Sequence, residues 1–185
     1  MKTSNTIREN ARLKDLYSYK ILDTEPESDY SDLAELASLI CECPIAAITF
    51  VDKNRQWFKA KVGDTVKETS RSISFCSHTI QQNDTLIVTD PTSDIRFKQN
   101  PDVTGGLKIR FYAGYPIYSS QGNKLGSVCV IDNKAKQLTE AQIRILELIS
   151  KQVTQLLELR LRNNLLKDHS QLLLQNTEKM VESFF

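Results

Sequence analysis

The run Phe111-Tyr112-Ala113-Gly114-Tyr115-Pro116-Ile117-Tyr118, the polar link Ser119-Ser120-Gln121-Gly122-Asn123-Lys124 and the return Leu125-Gly126-Ser127-Val128-Cys129-Val130-Ile131-Asp132 decide how this chain folds. Two stretches rich in aromatic and β-branched residues around a polar link containing Gly122 read as a β-hairpin. Alternation puts Phe111, Ala113, Tyr115 and Ile117 on one face of the first strand and Tyr112, Gly114, Pro116 and Tyr118 on the other, and neither face is charged. The return strand divides into Leu125, Ser127, Cys129 and Ile131 against Gly126, Val128 and Val130. Strands that are apolar on both faces are covered on both, so the hairpin predicts a central sheet between two packed layers.

Upstream of the hairpin, 90–106 contains Pro91, Pro101 and Gly105-Gly106, an irregular excursion of the kind that binds or covers something. Before it come a strand over 86–89, a short helix capped by Ser74 and running through Gln82, and a polar loop over 64–71. The wholly apolar run Ile45–Val51, broken only by Thr49, predicts a buried central strand. After a turn at 52–55, residues 56–62 give a second strand nearer an edge, ending at Gly63.

Two helices lead the chain. The first, over 5–19, would place Ile7, Ala11 and Leu16 on its apolar face, and Asp23-Thr24-Glu25-Pro26 breaks it. The second would bury Tyr30, Leu33, Ala37 and Ile40, has Asp29 and Asp32 at the positive end of its dipole, and stops before Pro44. Downstream, Leu138-Thr139-Glu140-Ala141-Gln142-Ile143 is a capping box with a hydrophobic staple and starts a long helix. No Gly or Pro follows Gly126, and Ile149, Val153, Leu156, Leu161, Leu165 and Leu172 form a drifting stripe, interrupted by Arg160 and Asn164. Such a helix would run roughly 60 Å and project beyond the domain. A projecting leucine stripe is expected to pair as a parallel coiled coil.

Composition bounds the function. The chain of 185 residues has room for one domain and an extension, here 1–160 and 161–185. Lys plus Arg (24) nearly balances Asp plus Glu (23), which argues against a nucleic-acid partner. No apolar run approaches a membrane span and the N-terminus lacks a signal-peptide core, so a cytoplasmic protein with no membrane partner is expected. The four cysteines, at 41, 43, 76 and 129, show no zinc-like spacing, and no metal or cofactor is expected.

The order of elements predicts an α+β fold: an antiparallel sheet of five or six strands, helices on one face, a loop and short-helix layer on the other, and a long C-terminal helix. Tyr19-Lys20-Ile21-Leu22-Asp23-Thr24 with Pro26-Glu27, Arg55-Gln56-Trp57-Phe58-Lys59-Ala60, Ser74-Phe75-Cys76-Ser77-His78, Arg96-Phe97 with Asn100-Pro101, Ile109-Arg110-Phe111-Tyr112-Ala113-Gly114 and Gly126-Ser127-Val128-Cys129-Val130-Ile131-Asp132 together resemble the GAF domain family. They are similar to the bacterial GAF domains at the front of sensor histidine kinases and diguanylate cyclases. The resemblance implies a sensory module in bacterial signal transduction, including two-component systems. It also implies a homodimer through the first and last helices, an output domain after the last helix, and a small-molecule pocket between the sheet and 64–108.

The candidate ligand-binding residues are Cys76, His78, Asp90, Arg96, Phe97, Arg110 and Tyr112. Cys76 near a helix start is a candidate thiolate, although its i, i+2 spacing from His78 points the two to different sides. Asp90 and Arg96 can fix a loop or hold a polar ligand, and Arg110 with Tyr112 stands at the hairpin's entrance. No catalytic set is legible, so the chain is expected not to be an enzyme, any catalytic output lying beyond Phe185. The resemblance leaves the ligand unidentified. Residues 98–108 hold no bilin-attaching cysteine, and no cyclic-nucleotide N-K-F-D-E set can be assembled. Asp168-His169-Ser170-Gln171 does not match a phosphoacceptor box, and a helix still legible at Phe184-Phe185 points to a fragment of a longer sensor. Two other readings are a thiol-dependent reductase of the free methionine sulfoxide type, using Cys76, and a ligand-free dimerisation module.

Overall fold

The computed structural model describes residues 2–182, and side chains over 5–180. The elements in order are α1 (Lys2–Ser18), α2 (Ser28–Cys41), β1 (Ile45–Val51), β2 (Arg55–Val62), β3 (Glu68–Ser70), a 3-10 turn (Arg71–Ile73), α3 (Phe75–Thr79), β4 (Leu86–Val88), α4 (Pro101–Thr104), β5 (Phe111–Tyr118), β6 (Lys124–Asp132) and α5 (Glu140–Glu182). The six strands form one sheet in the order β3-β2-β1-β6-β5-β4, and each described pair is antiparallel. β1 and β6 lie at its centre, and every residue of β1 is buried. The expected α+β architecture is therefore present. Helix at Phe184-Phe185 lies outside the described residues.

The two faces carry separate cores. On one, Phe111, Ala113 and Ile117 of β5 and Val128 and Val130 of β6 meet Leu16 of α1, Ala34 and Ala37 of α2 and Leu146, Val153 and Leu157 of α5. On the other, Tyr112 of β5 and Cys129 of β6 meet Phe75 and Cys76 of α3, Phe97, and Val103 of α4. The hairpin is the wall between them, as alternation predicts.

Two bulges alter that alternation. Ile117 pairs with Gly126 but Tyr118 with Lys124, so Leu125 is an extra residue and turns to the helix side, away from Cys129. Likewise Ile48 faces Ala60 while Thr49 faces Phe58, leaving Lys59 unpaired on β2. Gly126 itself sits where an added Cβ would lie 1.8 Å from the Thr49 carbonyl oxygen, so only glycine fits that crossing.

Several boundaries differ from the expectation. The 64–71 loop contains β3, α3 ends at Thr79 rather than Gln82, and 90–106 includes the single turn of α4. In α1 the inner face is Arg12, Leu13 and Leu16, while Ile7 is 64% exposed. Arg12 is held inside because its guanidinium donates to the Val51 carbonyl at 2.7 Å, a polar anchor invisible to apolar periodicity. In α2 the buried set is Tyr30, Ala34, Ala37 and Cys41, about one position round from the expected stripe.

The capping box at the start of α5 is formed. The Gln142 amide N–H donates to Thr139 Oγ1 at 3.2 Å, and the Thr139 N–H donates to Gln142 Oε1 at 2.9 Å. α5 is 43 residues long, roughly 65 Å. Its core contacts fade after Leu161, and every described side chain from Leu165 to Met180 is exposed. No helix among the described residues is long and apolar enough to cross a membrane.

Candidate functional site

A cavity of ≈260 Å³ lies on the sheet face opposite α5. Its walls come from β2 (Gln56, Phe58, Lys61), β6 (Ile131), the start of α3 (Ser74, Phe75, Cys76) and the turn after α4 (Gly106, Leu107, Ile109). The bulge at Lys59 restores the inward phase of β2, so Phe58 and Lys61 both face the cavity while Lys59 turns to the helices. A wider groove of ≈560 Å³ beside Tyr17, Asp52, Arg55 and Glu68 is already spanned by charge pairs. There Arg55 reaches Asp52 at 3.1 Å, Glu68 at 2.6 Å and Asp23 at 2.6 Å.

Chemically the cavity is apolar with a charged lip. Lys61 Nζ is 2.6 Å from Asp64 Oδ2 and 4.1 Å above the centre of the Phe58 ring. Burial opposes the charge on Asp64, yet the hydrogen bonds from Lys61 and from the Val66 N–H hold its carboxyl below the usual range. Asp102 lines the same cavity from the first turn of α4. Gln56 accepts from the Ser74 hydroxyl, and Ser74 caps α3 by accepting from the Ser77 N–H at 3.0 Å. Asn100 Nδ2 donates to the Ile73 carbonyl at 2.6 Å, fastening the excursion to the entrance of α3.

Of the residues singled out from the sequence, four meet in the layer above β5. Phe97 stacks on Phe75 at 4.0 Å, the His78 ring meets Phe97 edge-on at 4.8 Å, and Phe75 lies 5.0 Å from the Tyr112 ring. The hydroxyls of Tyr112 and Thr79 are 2.6 Å apart, and Tyr112 Oη lies 3.5 Å from Cys76 Sγ. Burial, then the Arg96 charge, lowers the pKa of His78; burial above all raises that of Tyr112. Cys76 Sγ is in turn 3.8 Å from Cys129 Sγ. The hydrogen bond with Cys76, together with burial, holds the Cys129 thiol well above the ordinary range.

Of the other three, Arg96 borders this cluster while Asp90 and Arg110 are engaged elsewhere. Arg96 lies over Phe97 at 5.0 Å and pairs with Asp94 at 2.6 Å. Asp90 accepts from the Thr92 hydroxyl at 2.5 Å and the Ser93 hydroxyl at 2.7 Å, closing its own turn. Arg110 donates to the carbonyls of Val103 and Ile109, both at 2.9 Å, and so ties α4 to the root of β5. Only Cys76 of the seven lines the cavity. Among the cavity's other polar residues, Gln56, Lys61, Asp64, Thr69 and Asp102 escaped sequence reasoning as lining groups, and Ser74 was read only as a helix cap. The alternation Phe58-x-x-Lys61 was obscured by the bulge, and Asp64 and Asp102 lie in the layer expected to cover a pocket, where no local spacing marks either as lining it.

The comparisons with known proteins agree with this geometry. The family model described as GAF domain matches residues 25–157. A cyclic di-GMP phosphodiesterase of Pseudomonas aeruginosa is 38% identical over 128 residues, which is 69% of this chain and 22% of that protein. The chain thus spans about a fifth of the length of the curated relative it matches. A solved domain assigned to a two-component sensor histidine kinase of Sinorhizobium meliloti superposes with a TM-score of 0.57 at 15% identity, covering 77% of this chain and 97% of that one. The GAF domain of an Acinetobacter phosphoenolpyruvate-protein phosphotransferase gives 0.58 at 13% identity, covering 80% and 92%. These two likenesses are of fold. The Pseudomonas relative corrects the expectation that the chain is no enzyme, because the protein in which so similar a sequence occurs is itself named as one.

Proposed function

We propose that this chain, which belongs to the GAF domain family, is the sensory part of a larger bacterial signalling protein. It takes a small molecule into the cavity roofed by α3 and α4 and passes the change through the sheet to α5. The projecting part of α5 pairs with that of a second copy, and their arrangement sets the output. Control of cyclic di-GMP turnover is the output suggested by the Pseudomonas relative.

One observation carries the reading: α5 is fastened to the backbone of the strand whose opposite face supports the cavity layer. Ser150 Oγ donates to the Pro116 carbonyl at 2.7 Å and Thr154 Oγ1 to the Tyr118 carbonyl at 2.7 Å, both on β5. The same strand sends Tyr112 into contact with Phe75 and Thr79 of α3. A molecule that shifts α3 therefore pushes on β5, and β5 has direct bonds to the output helix. A ligand can move this equilibrium only by its differential affinity for the two arrangements. A cavity of ≈260 Å³ takes a compact metabolite and is well short of a tetrapyrrole.

The test is native mass spectrometry of the gently purified chain, before and after incubation with a small-metabolite extract of the host, beside Leu107→Trp, which fills the cavity. The reading expects a small-molecule adduct on the wild type that the variant lacks. An unadducted wild type after incubation would overturn ligand sensing and leave a ligand-free dimerisation module.

A further inference from the structure

All four cysteines are free and buried, and two of them meet across the cavity-side core: Cys76 Sγ on α3 is 3.8 Å from Cys129 Sγ on β6. A disulfide holds its sulfurs about 2.05 Å apart, so joining them takes a closure of roughly 1.8 Å. Cys129 cannot supply that movement, because β6 is pinned between Ala47 of β1 and Gly114 of β5. Cys76 can. It sits on a helix of five residues, and it is one of the residues that line the cavity. Val66, another lining residue, is 46% exposed. Tyr112 Oη at 3.5 Å, with the hydroxyls of Thr49 and Ser127, supplies donors around the Cys76 sulfur. Cys41 and Cys43 are differently placed. They lie on the helix side of the sheet, outside the cavity, and burial pushes their thiols up to about 11 and about 12.

We propose that Cys76 and Cys129 are an oxidation site at which hydrogen peroxide, admitted through the cavity, converts two thiols into a disulfide joining α3 to β6. In the first step the Cys76 thiolate attacks one peroxide oxygen. The O–O bond breaks, hydroxide leaves and takes up the Cys76 proton as water, and Cys76 becomes a sulfenic acid. In the second, the Cys129 sulfur attacks the sulfenic sulfur, the S–O bond breaks, and the hydroxyl departs as water with the Cys129 proton. Two electrons pass from the sulfurs to the peroxide, and two waters form. The bond draws α3 onto the sheet, and with it Phe75 and the stacked Phe97, so the cavity wall moves. This chemistry goes beyond ligand sensing and does not depend on it.

The full chain, dilute, is treated with hydrogen peroxide, quenched with catalase, denatured and alkylated with N-ethylmaleimide for intact-mass and peptide analysis. The expected result is two alkylated thiols in place of four, a linked peptide pair containing Cys76 and Cys129, and recovery of all four after dithiothreitol. In Cys129→Ala the reaction should stop at a Cys76 sulfenic acid that dimedone traps. Four alkylated thiols after peroxide would overturn the proposal. So would a bridge between other cysteines or between two chains, or a Cys76 oxidised to sulfinic acid with Cys129 still free.

Discussion

Lys59 shows what a single residue can be asked to do. Its side chain is 0% exposed, yet its ammonium is satisfied by Glu27 at 2.5 Å, Thr24 Oγ1 at 2.8 Å and the Glu25 carbonyl at 2.7 Å, and it lies 5.2 Å from the centre of the Tyr30 ring. Glu27 also receives Arg160 of α5 at 2.9 Å, so one carboxylate joins the sheet, the α1–α2 link and α5. Glu27→Gln leaves a buried ammonium without its counter-charge. Because Glu27 is itself 42% exposed and the Thr24 and Glu25 contacts remain, we expect a loss below the ~3–5 kcal/mol of a fully buried pair. Adding Lys59→Met should restore most of it in urea unfolding; strictly additive losses would show that the two residues are not coupled. Glu9 gives a pH signature. Burial resists its charge, but hydrogen bonds from Arg12 and Arg71 lower its pKa from 4.5 to about 2. Its folded pKa lies below its unfolded one, so its contribution is present above about pH 4.5 and lost as pH falls through about 2. Urea unfolding between those limits should show the wild type losing stability more steeply than Glu9→Gln, and equal slopes would remove Glu9 from the account. None of this was legible beforehand. Arg160 looked like a flaw in a leucine stripe, and Lys59 reads as an ordinary strand lysine until the bulge turns it inward.

At the scale of elements, the signals that came through were those written in local chemistry. The box at Thr139 and Gln142 formed as the spacing demanded, because Ncap and N3 side chains meet orphan N–H groups whatever the rest of the chain does. Thr139→Ala should therefore cost about 1 kcal/mol of domain stability, read as a lower urea midpoint with an unchanged slope. A midpoint equal to the wild type would mean that the box contributes nothing. The two faces of β5 were also legible from alternation, but which face met the helices was not, since both are apolar. The structure assigns Tyr112 to the cavity side and Phe111 to the helices. Alternation failed at Leu125 and Lys59, where a bulge inserts one residue and resets the phase, and β3 was missed because a three-residue edge strand offers no period to read.

For the whole molecule, the sequence announced an α+β domain whose central sheet lies between two packed layers, with a helix too long for it, and that outline stands in the structure. The candidate site was less legible. The aromatic cluster of Phe75, His78, Phe97 and Tyr112 was partly anticipated, whereas the charged lip of the cavity joins the local pair Lys61 and Asp64 to Asp102 on a distant element, a meeting that the fold makes and no sequence spacing shows. What makes the domain a signalling part, in our account, is the helix end. Leu165, Leu166, Leu172, Leu173 and Leu174 are each 54–66% exposed, and neither core among the described residues reaches them. A second copy of α5 would bury them as a coiled coil. The most direct test is sedimentation equilibrium of the full chain beside a chain ending at Lys167, which keeps Leu161 and the Arg160 contacts with Glu27. The account predicts a dimer for the full chain and a folded monomer for the shortened one. A monomeric full chain, or a shortened chain that dimerises as tightly, would contradict it.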